Sequence, residues 1–321
     1  MQNLAPIALF VYNRPEHTRR TLKFLQQNLL ADESRLFIFS DAAARPEEEK
    51  NVNEVRELIG KVSGFKKVDV VLRSKNLGLA ASIIDGVSRL VKLYGQVIVF
   101  EDDLISSPYT LQYFNDAFKQ YKSEEKVMHI GAYMYPLKSD SGIQDKDSLP
   151  ETFFYRAATS WGWATWERAW NHFEPDIDKL MAQFNSRKIR EFSIDHSMNF
   201  WKQMKEFKAG KNNSWAIRWY ASVFLNEGLT LNPSVSLINN IGHDGTGVHS
   251  GTNDMYNVVI NHKPITSFPD QIEEDKTAYE VIKSFLKNRK GTLWQRIVRY
   301  ANQKFNIRLP GKMVENSAPQ S

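Results

Sequence analysis

The chain has 321 residues and a formal charge of +5, with 42 Lys and Arg against 37 Asp and Glu, and it contains no cysteine. That length supports one large α/β domain with additions or two modest domains, and the missing thiols exclude disulfides, thiolate metal sites and cysteine nucleophiles. No run reaches the ~18 to 20 apolar residues that span a bilayer, and the opening Met1-Gln2-Asn3-Leu4-Ala5-Pro6 lacks the regions of a signal peptide, so a cytoplasmic protein is expected.

From Pro6 to Tyr12 the chain is continuously apolar over the length of one buried strand. Asn13-Arg14-Pro15 interrupts it, and Glu16 to Leu30 then takes helical spacing through Leu22, Leu25 and Leu29. A second strand, Leu36 to Phe39, stops at Ser40-Asp41. Pro46 to Ile59 is helical again, Val68 to Leu72 is a strand, and Asn76 to Tyr94 is a helix with Leu79, Ile83, Val87 and Leu90 on one face. A fourth strand, Gln96 to Phe100, ends abruptly in Glu101-Asp102-Asp103. Strands alternating with helices imply a mostly parallel sheet covered on both faces, and the polar strand ends should gather along one edge. Three carboxylates at such an edge suit a hard divalent cation holding substrate phosphates, and a solvated turn is the alternative.

The second half has another texture. Residues 136–150 form a polar loop, followed by Trp161-Gly162-Trp163-Ala164-Thr165-Trp166, where aromatic walls suit the C–H faces of sugar rings and a buried aromatic core is the alternative. Residues 167–209 look helical. An aromatic helix runs to Leu225, a turn occupies Asn226-Glu227-Gly228, and a short strand precedes Asn232-Pro233. The Gly-rich Ile241 to Gly251 carries His243, Asp244 and His249 and has the composition of a ligand-covering lid. From Lys283 to Lys312 there are nine Lys and Arg and no acid, interleaved with Phe285, Leu286, Trp294 and Ile297. Such a basic tail suits either a helix packed on the body or peripheral contact with an anionic membrane, and nothing in the chain forms a nucleic-acid module.

The order of these parts resembles nucleotide-sugar glycosyltransferases of the GT-A fold, most closely the N-acetylglucosaminyltransferase I type and its bacterial relatives of surface-polysaccharide synthesis. The likeness is carried by Tyr12-Asn13-Arg14-Pro15, by Asp41, by Glu101-Asp102-Asp103 with the sequel Leu104-Ile105-Ser106-Ser107-Pro108, and by Trp161-Gly162-Trp163. It implies a Rossmann-like GT-A sheet, with residues 1–135 binding the nucleotide sugar, 136–275 forming the acceptor-side half, and 276–321 a basic helical tail.

It further implies Arg14 and Asp41 on uridine, Asp103 as the ligand of Mn²⁺ or Mg²⁺, Glu101 and Asp102 toward ribose and sugar hydroxyls, and Trp161 and Trp163 on the sugar and acceptor side. Arg73, at a strand end, is a further phosphate or uracil candidate, and His249 a further metal ligand. The family's general base lies in a Trp-Asp-Asp-Trp-like segment, and Trp215-Ala216-Ile217-Arg218-Trp219 has no carboxylate there. Asp195, Glu227 and Asp244 are therefore the candidate bases. The expected activity is transfer of a sugar from a UDP-sugar to a hydroxyl of a glycan or lipid-linked glycan in bacterial surface polysaccharide. A sugar nucleotidyltransferase and a non-catalytic carbohydrate-binding protein are the alternatives.

Overall fold

A computed structural model describes residues 4–137, 148–242 and 256–288. Its centre is an eight-stranded sheet in the order β3-β2-β1-β4-β8-β6-β9-β7, where β1 is Ile7–Val11, β2 Arg35–Ser40, β3 Lys67–Leu72, β4 Gln96–Glu101, β6 Val127–Gly131, β7 Thr152–Tyr155, β8 Trp163–Trp166 and β9 Leu229–Pro233. The first four strands in that order are parallel. A small separate ribbon pairs β5 (Leu104–Ser106) with β10 (Ile238–Asn240), antiparallel. The α/β class, with a mostly parallel sheet flanked by helices, is the one expected.

Side chains alternate across a strand, so the apolar runs of β1, β2 and β4 feed two cores. Leu9, Ile38 and Phe100 face one side, against Leu22 and Leu25 of α1 (Pro15–Gln26), Val55 and Ile59 of α2 (Glu49–Ile59) and Phe114 of α4 (Thr110–Gln120). Phe10, Phe39 and Val99 face the other, against Ile83, Val87 and Leu90 of α3 (Leu79–Tyr94) and Trp219 of α9 (Trp215–Leu225). Pro15 opens α1 at a position where its missing N–H costs no hydrogen bond. The left-handed Gly95 (φ 76°) closes α3 and lets the chain turn directly into β4.

Beyond β4 the topology departs from simple alternation. β8 inserts antiparallel between β4 and β6, and β9 then runs parallel to β6. The strand β8 reads Trp-Ala-Thr-Trp and is buried along its whole length. Trp163 stacks on Trp215 at 5.0 Å and on His129 at 5.2 Å. The Trp219 indole N–H donates to His129 Nδ1 at 3.0 Å, and burial pushes the imidazole down to about 3, so His129 is neutral. The stretch read as broadly helical resolves into α5 (Glu167–Trp170), α6 (Ile177–Met181), α7 (Ser186–Phe192) and α8 (Phe200–Lys208).

A third apolar cluster joins α7, α8 and α9 to α10 (Lys276–Asn288), whose Ala278, Val281, Ile282 and Leu286 are buried. The described part of the basic C-terminal segment is thus a helix packed on the body. The remainder of the tail, 289–321, lies outside the described residues, as do most of the Gly-rich lid and the middle of the polar loop. No helix among the described residues is long and apolar enough to cross a membrane.

Candidate active site

In the parallel half the chain passes from β1 to β2 and β3 on one side, then returns to place β4 on the other side of β1. The carboxyl ends of β1 and β4 therefore diverge into a crevice, the place where open α/β sheets hold ligands. A cavity of about 830 Å³ opens there. It is lined by Tyr12, Asn13 and Arg14 after β1, by Asp41 after β2, by Glu101, Asp102 and Asp103 at the end of β4, and by Asn76 and Gly78 before α3. The polar strand ends do gather at one edge.

Arg14 lies between two of the carboxylates. Its guanidinium forms an ion pair with Asp102 and donates to Asp103 Oδ2 at 2.9 Å. Asp102 is buried, its Oδ2 also accepts the Tyr12 backbone N–H at 3.3 Å, and its own carbonyl accepts the Thr21 hydroxyl at 2.8 Å. Loss of water raises Asp102 to about 6 against the counter-pull of Arg14. Glu101, whose carboxyl is walled in although part of the residue faces the cavity, is pushed up to about 8 by desolvation and then by Asp103 and Asp102. Desolvation acts to lower Arg14, but the two aspartates outweigh it and hold the guanidinium above its ordinary value. One cation thus faces three adjoining carboxyl groups, an arrangement that draws in a further positive charge.

Among the described residues no three His, Asp or Glu groups form a ready metal cage. The donor set nevertheless fits a hard divalent ion of the kind that takes one or two carboxylate oxygens and completes its shell with phosphate and water. Gly242, which follows β10, leaves room at that point. A Cβ there would fall on Asp103 Oδ2 and within 2.9 Å of Arg14 Nη1. Gly242→Ala is therefore expected to lower metal-dependent nucleotide affinity at least tenfold while shifting the melting temperature by no more than a few degrees, measured by calorimetry and thermal unfolding.

Asp41 has a second task. Its two oxygens accept the backbone N–H groups of Ala42 (2.9 Å), Leu77 (3.0 Å) and Gly78 (2.8 Å), which fastens the turn before α3 to the end of β2. Tyr12 donates to Glu48 at 2.5 Å and accepts the Ala44 N–H at 2.9 Å, closing the same wall.

Trp161 lines the cavity and stands edge-on to Tyr133 at 4.6 Å. A second cleft of about 350 Å³ lies behind it, sharing Ser160, Trp161, Gln203, Ser214 and Ala216 and walled by Tyr135, Phe200, Tyr220 and Tyr256. Trp163, two residues on, points into the opposite core with 0 % exposure and is no part of the cavity wall. Trp161 precedes β8, and the left-handed Gly162 (φ 59°) turns the chain between the two indoles, so they do not share a strand face. Arg73 is likewise outside the wall: it ion-pairs with Asp85 and lies over the Phe39 ring at 5.7 Å.

The candidate bases do not assemble. Asp195 accepts from Tyr279 (3.1 Å) and pairs with Arg190 (3.3 Å) and Lys283 (3.4 Å), fastening α7 to α10. Glu227 is an exposed turn residue at φ 54°, and neither lines the cavity. Asp244 and His249 lie outside the described residues. The far wall is instead built by Gln203 and Glu206 of α8 and by Asn212, Asn213, Ser214 and Trp215 at the start of α9. Apart from Trp215, these residues carried no weight in the sequence reading, although Gln203 and Glu206 stand three apart and so share one helix face.

No protein family profile matches the chain, and no curated protein matches it. Solved structures similar to it include the mannosyltransferase PcManGT from Pyrobaculum calidifontis in complex with GDP-Man and Mn²⁺, at 11 % identity, 70 % of each chain and a TM-score of 0.37. Mouse xyloside xylosyltransferase 1 is similar at 11 % identity over 70 % of this chain and 82 % of its own, with a TM-score of 0.37. A UDP-glucose pyrophosphorylase complexed with UDP-glucose is similar at 12 % identity, 72 % and 90 % coverage and a TM-score of 0.35. The first two belong to the class that the sequence motifs resemble. At these scores the likenesses carry no weight for activity, which rests on the cavity itself.

Proposed function

We propose that the protein is a metal-dependent glycosyltransferase that moves a sugar from a UDP-sugar to a hydroxyl of a glycan acceptor, as in bacterial surface-polysaccharide synthesis. The observation that carries this reading is the Arg14–Asp102–Asp103 cluster at the crevice between β1 and β4, in a cavity whose other wall offers an indole and a row of amides. Anionic and sugar-like surfaces meet there.

In this reading Arg14 and Asp103 handle the diphosphate, with Asp103 and Asp102 as the residues that would hold Mn²⁺ or Mg²⁺. A bound divalent ion supplies neutralisation of the charge that grows on the departing diphosphate. Asp41 serves the uracil end chiefly through the turn it fixes, because three backbone N–H groups already occupy its oxygens. Glu101, at about 8, is able to donate a hydrogen bond to a sugar or ribose oxygen. Trp161 provides a flat apolar face for a pyranose ring, and Gln203 and Asn213 provide amides for its hydroxyls.

The test is a thermal-unfolding screen of nucleotide sugars, nucleoside diphosphates and nucleoside triphosphates, each with and without Mn²⁺. Stabilisation by UDP and UDP-sugars only when metal is present is the expected result. Stabilisation by triphosphates alone points to a nucleotidyltransferase, and no response to any nucleotide removes the reading.

A further inference from the structure

We infer that Glu206 is the general base that activates the acceptor hydroxyl, an assignment that rests on the transferase reading of the same cavity. Displacement of a nucleoside diphosphate from the anomeric carbon by a hydroxyl needs a carboxylate facing the sugar from the side opposite the leaving phosphate. The carboxylates of the described cavity wall are Asp41, Glu48, the three of the β4 end and Glu206. Those other than Glu206 are held by protein partners or sit within the β4-end cluster. Asp41 accepts three backbone N–H groups. Glu48 accepts from Tyr12, from Asn13 at 3.3 Å and from Arg45 at 2.9 Å, on the nucleotide side. Asp102 and Asp103 are held by Arg14, and Glu101 directly precedes them at the end of β4, on the diphosphate side of the proposed site.

Glu206 stands apart from them. It comes from α8, on the far wall of the same cavity, and its described partner is Lys202, one turn back on the same helix at 3.5 Å, itself 67 % exposed. Such a pair is loose and leaves oxygen lone pairs for a substrate. The neighbouring wall residue Gln203 borders both the main cavity and the aromatic side cleft, so a glycan ring entering along Trp161 and Tyr256 brings its hydroxyl to the α8 wall. Ala216, in the segment where the resembled family carries its acids, borders both the cavity and the side cleft, and Ile217 borders the cleft.

The step balances as a single displacement. The acceptor O–H breaks and its proton passes to a Glu206 oxygen, the acceptor oxygen bonds to the anomeric carbon, and the bond from that carbon to the β-phosphate oxygen breaks with its electron pair, releasing UDP. The anomeric configuration inverts.

The test uses the full chain with UDP-glucose, UDP-galactose and UDP-N-acetylglucosamine, Mn²⁺, and water as the minimal acceptor, reading UDP release across pH alongside UDP affinity by calorimetry. For whichever donor turns over, Glu206→Gln is expected to lower the rate about 100-fold or more. UDP affinity should stay within twofold, and Glu206→Asp should recover part of the rate. An unchanged rate in Glu206→Gln, or a parallel loss of UDP affinity, overturns the assignment while leaving the transferase reading in place. Absence of metal-dependent UDP binding by the unsubstituted protein overturns both.

Discussion

Asp103→Ala is expected to remove the metal-dependent part of UDP binding. Calorimetric titrations with and without Mn²⁺ should converge on the same weak affinity, a loss of about 100-fold or more, in the range found when one partner of a buried charged pair is truncated. The reasoning is local. Asp103 receives one of the two Arg14 contacts, its carbonyl accepts the Ile241 N–H at 2.8 Å, and its side chain faces the space left by Gly242. Truncation spares the backbone link and leaves Arg14 paired with the more deeply buried Asp102, so the fold should hold while the cavity loses its outermost carboxylate. Asp103→Asn separates charge from shape: it keeps an acceptor for Arg14 yet should bind metal as poorly as the alanine variant. Metal-dependent affinity that survives either substitution would reassign the ion to other residues.

Trp163→Ala is expected to cost about 3–5 kcal/mol of stability, the range for removing a fully buried large aromatic from a core that cannot collapse around the gap. Urea unfolding followed by far-UV circular dichroism measures it. Trp163 is packed between Trp215 and His129, with Trp170 at 5.8 Å and Trp219 at 6.3 Å, and these partners come from β6, α5 and α9. Few single side chains tie so many elements together. Trp161→Ala provides the contrast, because that indole is partly exposed on the cavity wall. It should cost under about 1 kcal/mol and act instead on sugar binding. Equal losses from the two substitutions would contradict the division of labour along this strand and its approach.

That division marks where sequence reasoning succeeds and where it stops. The parallel half is legible because each apolar run is short, continuous and closed by polar residues, and the strand ends that looked chemically active do share one crevice. Arg14, Asp41 and the acidic triplet, read as strand ends, line that one cavity. The strand β8 is less legible: Trp-Ala-Thr-Trp carries polar and small residues between its indoles, so its burial depends on neighbours contributed by β4, β6 and α9. Tertiary packing decided it, and Trp163 went to the core while Trp161 stayed on the wall.

The same limit applies to acids. Asp195 has the chemistry of a base, but its ion pairs with Arg190 and Lys283 are set by the docking of α10, an event roughly 80 residues downstream that no local pattern announces. Glu206 was passed over for the opposite reason. On a short amphipathic helix it looks like any solvated glutamate until the fold turns that helix face toward the crevice.

Arg14 carries a consequence beyond its place in the cavity. Because its guanidinium already spans Asp102 and Asp103, the protein folds with an internal counter-ion at the spot that otherwise would hold unbalanced negative charge. If a divalent cation were held by Asp102 and Asp103 as proposed, it would take the place of Arg14, and the guanidinium would be available to the phosphates of a bound nucleotide. Nucleotide and metal should consequently bind in a mutually dependent manner, each weak without the other, with the arginine passing from its own chain to the ligand as the two arrive together.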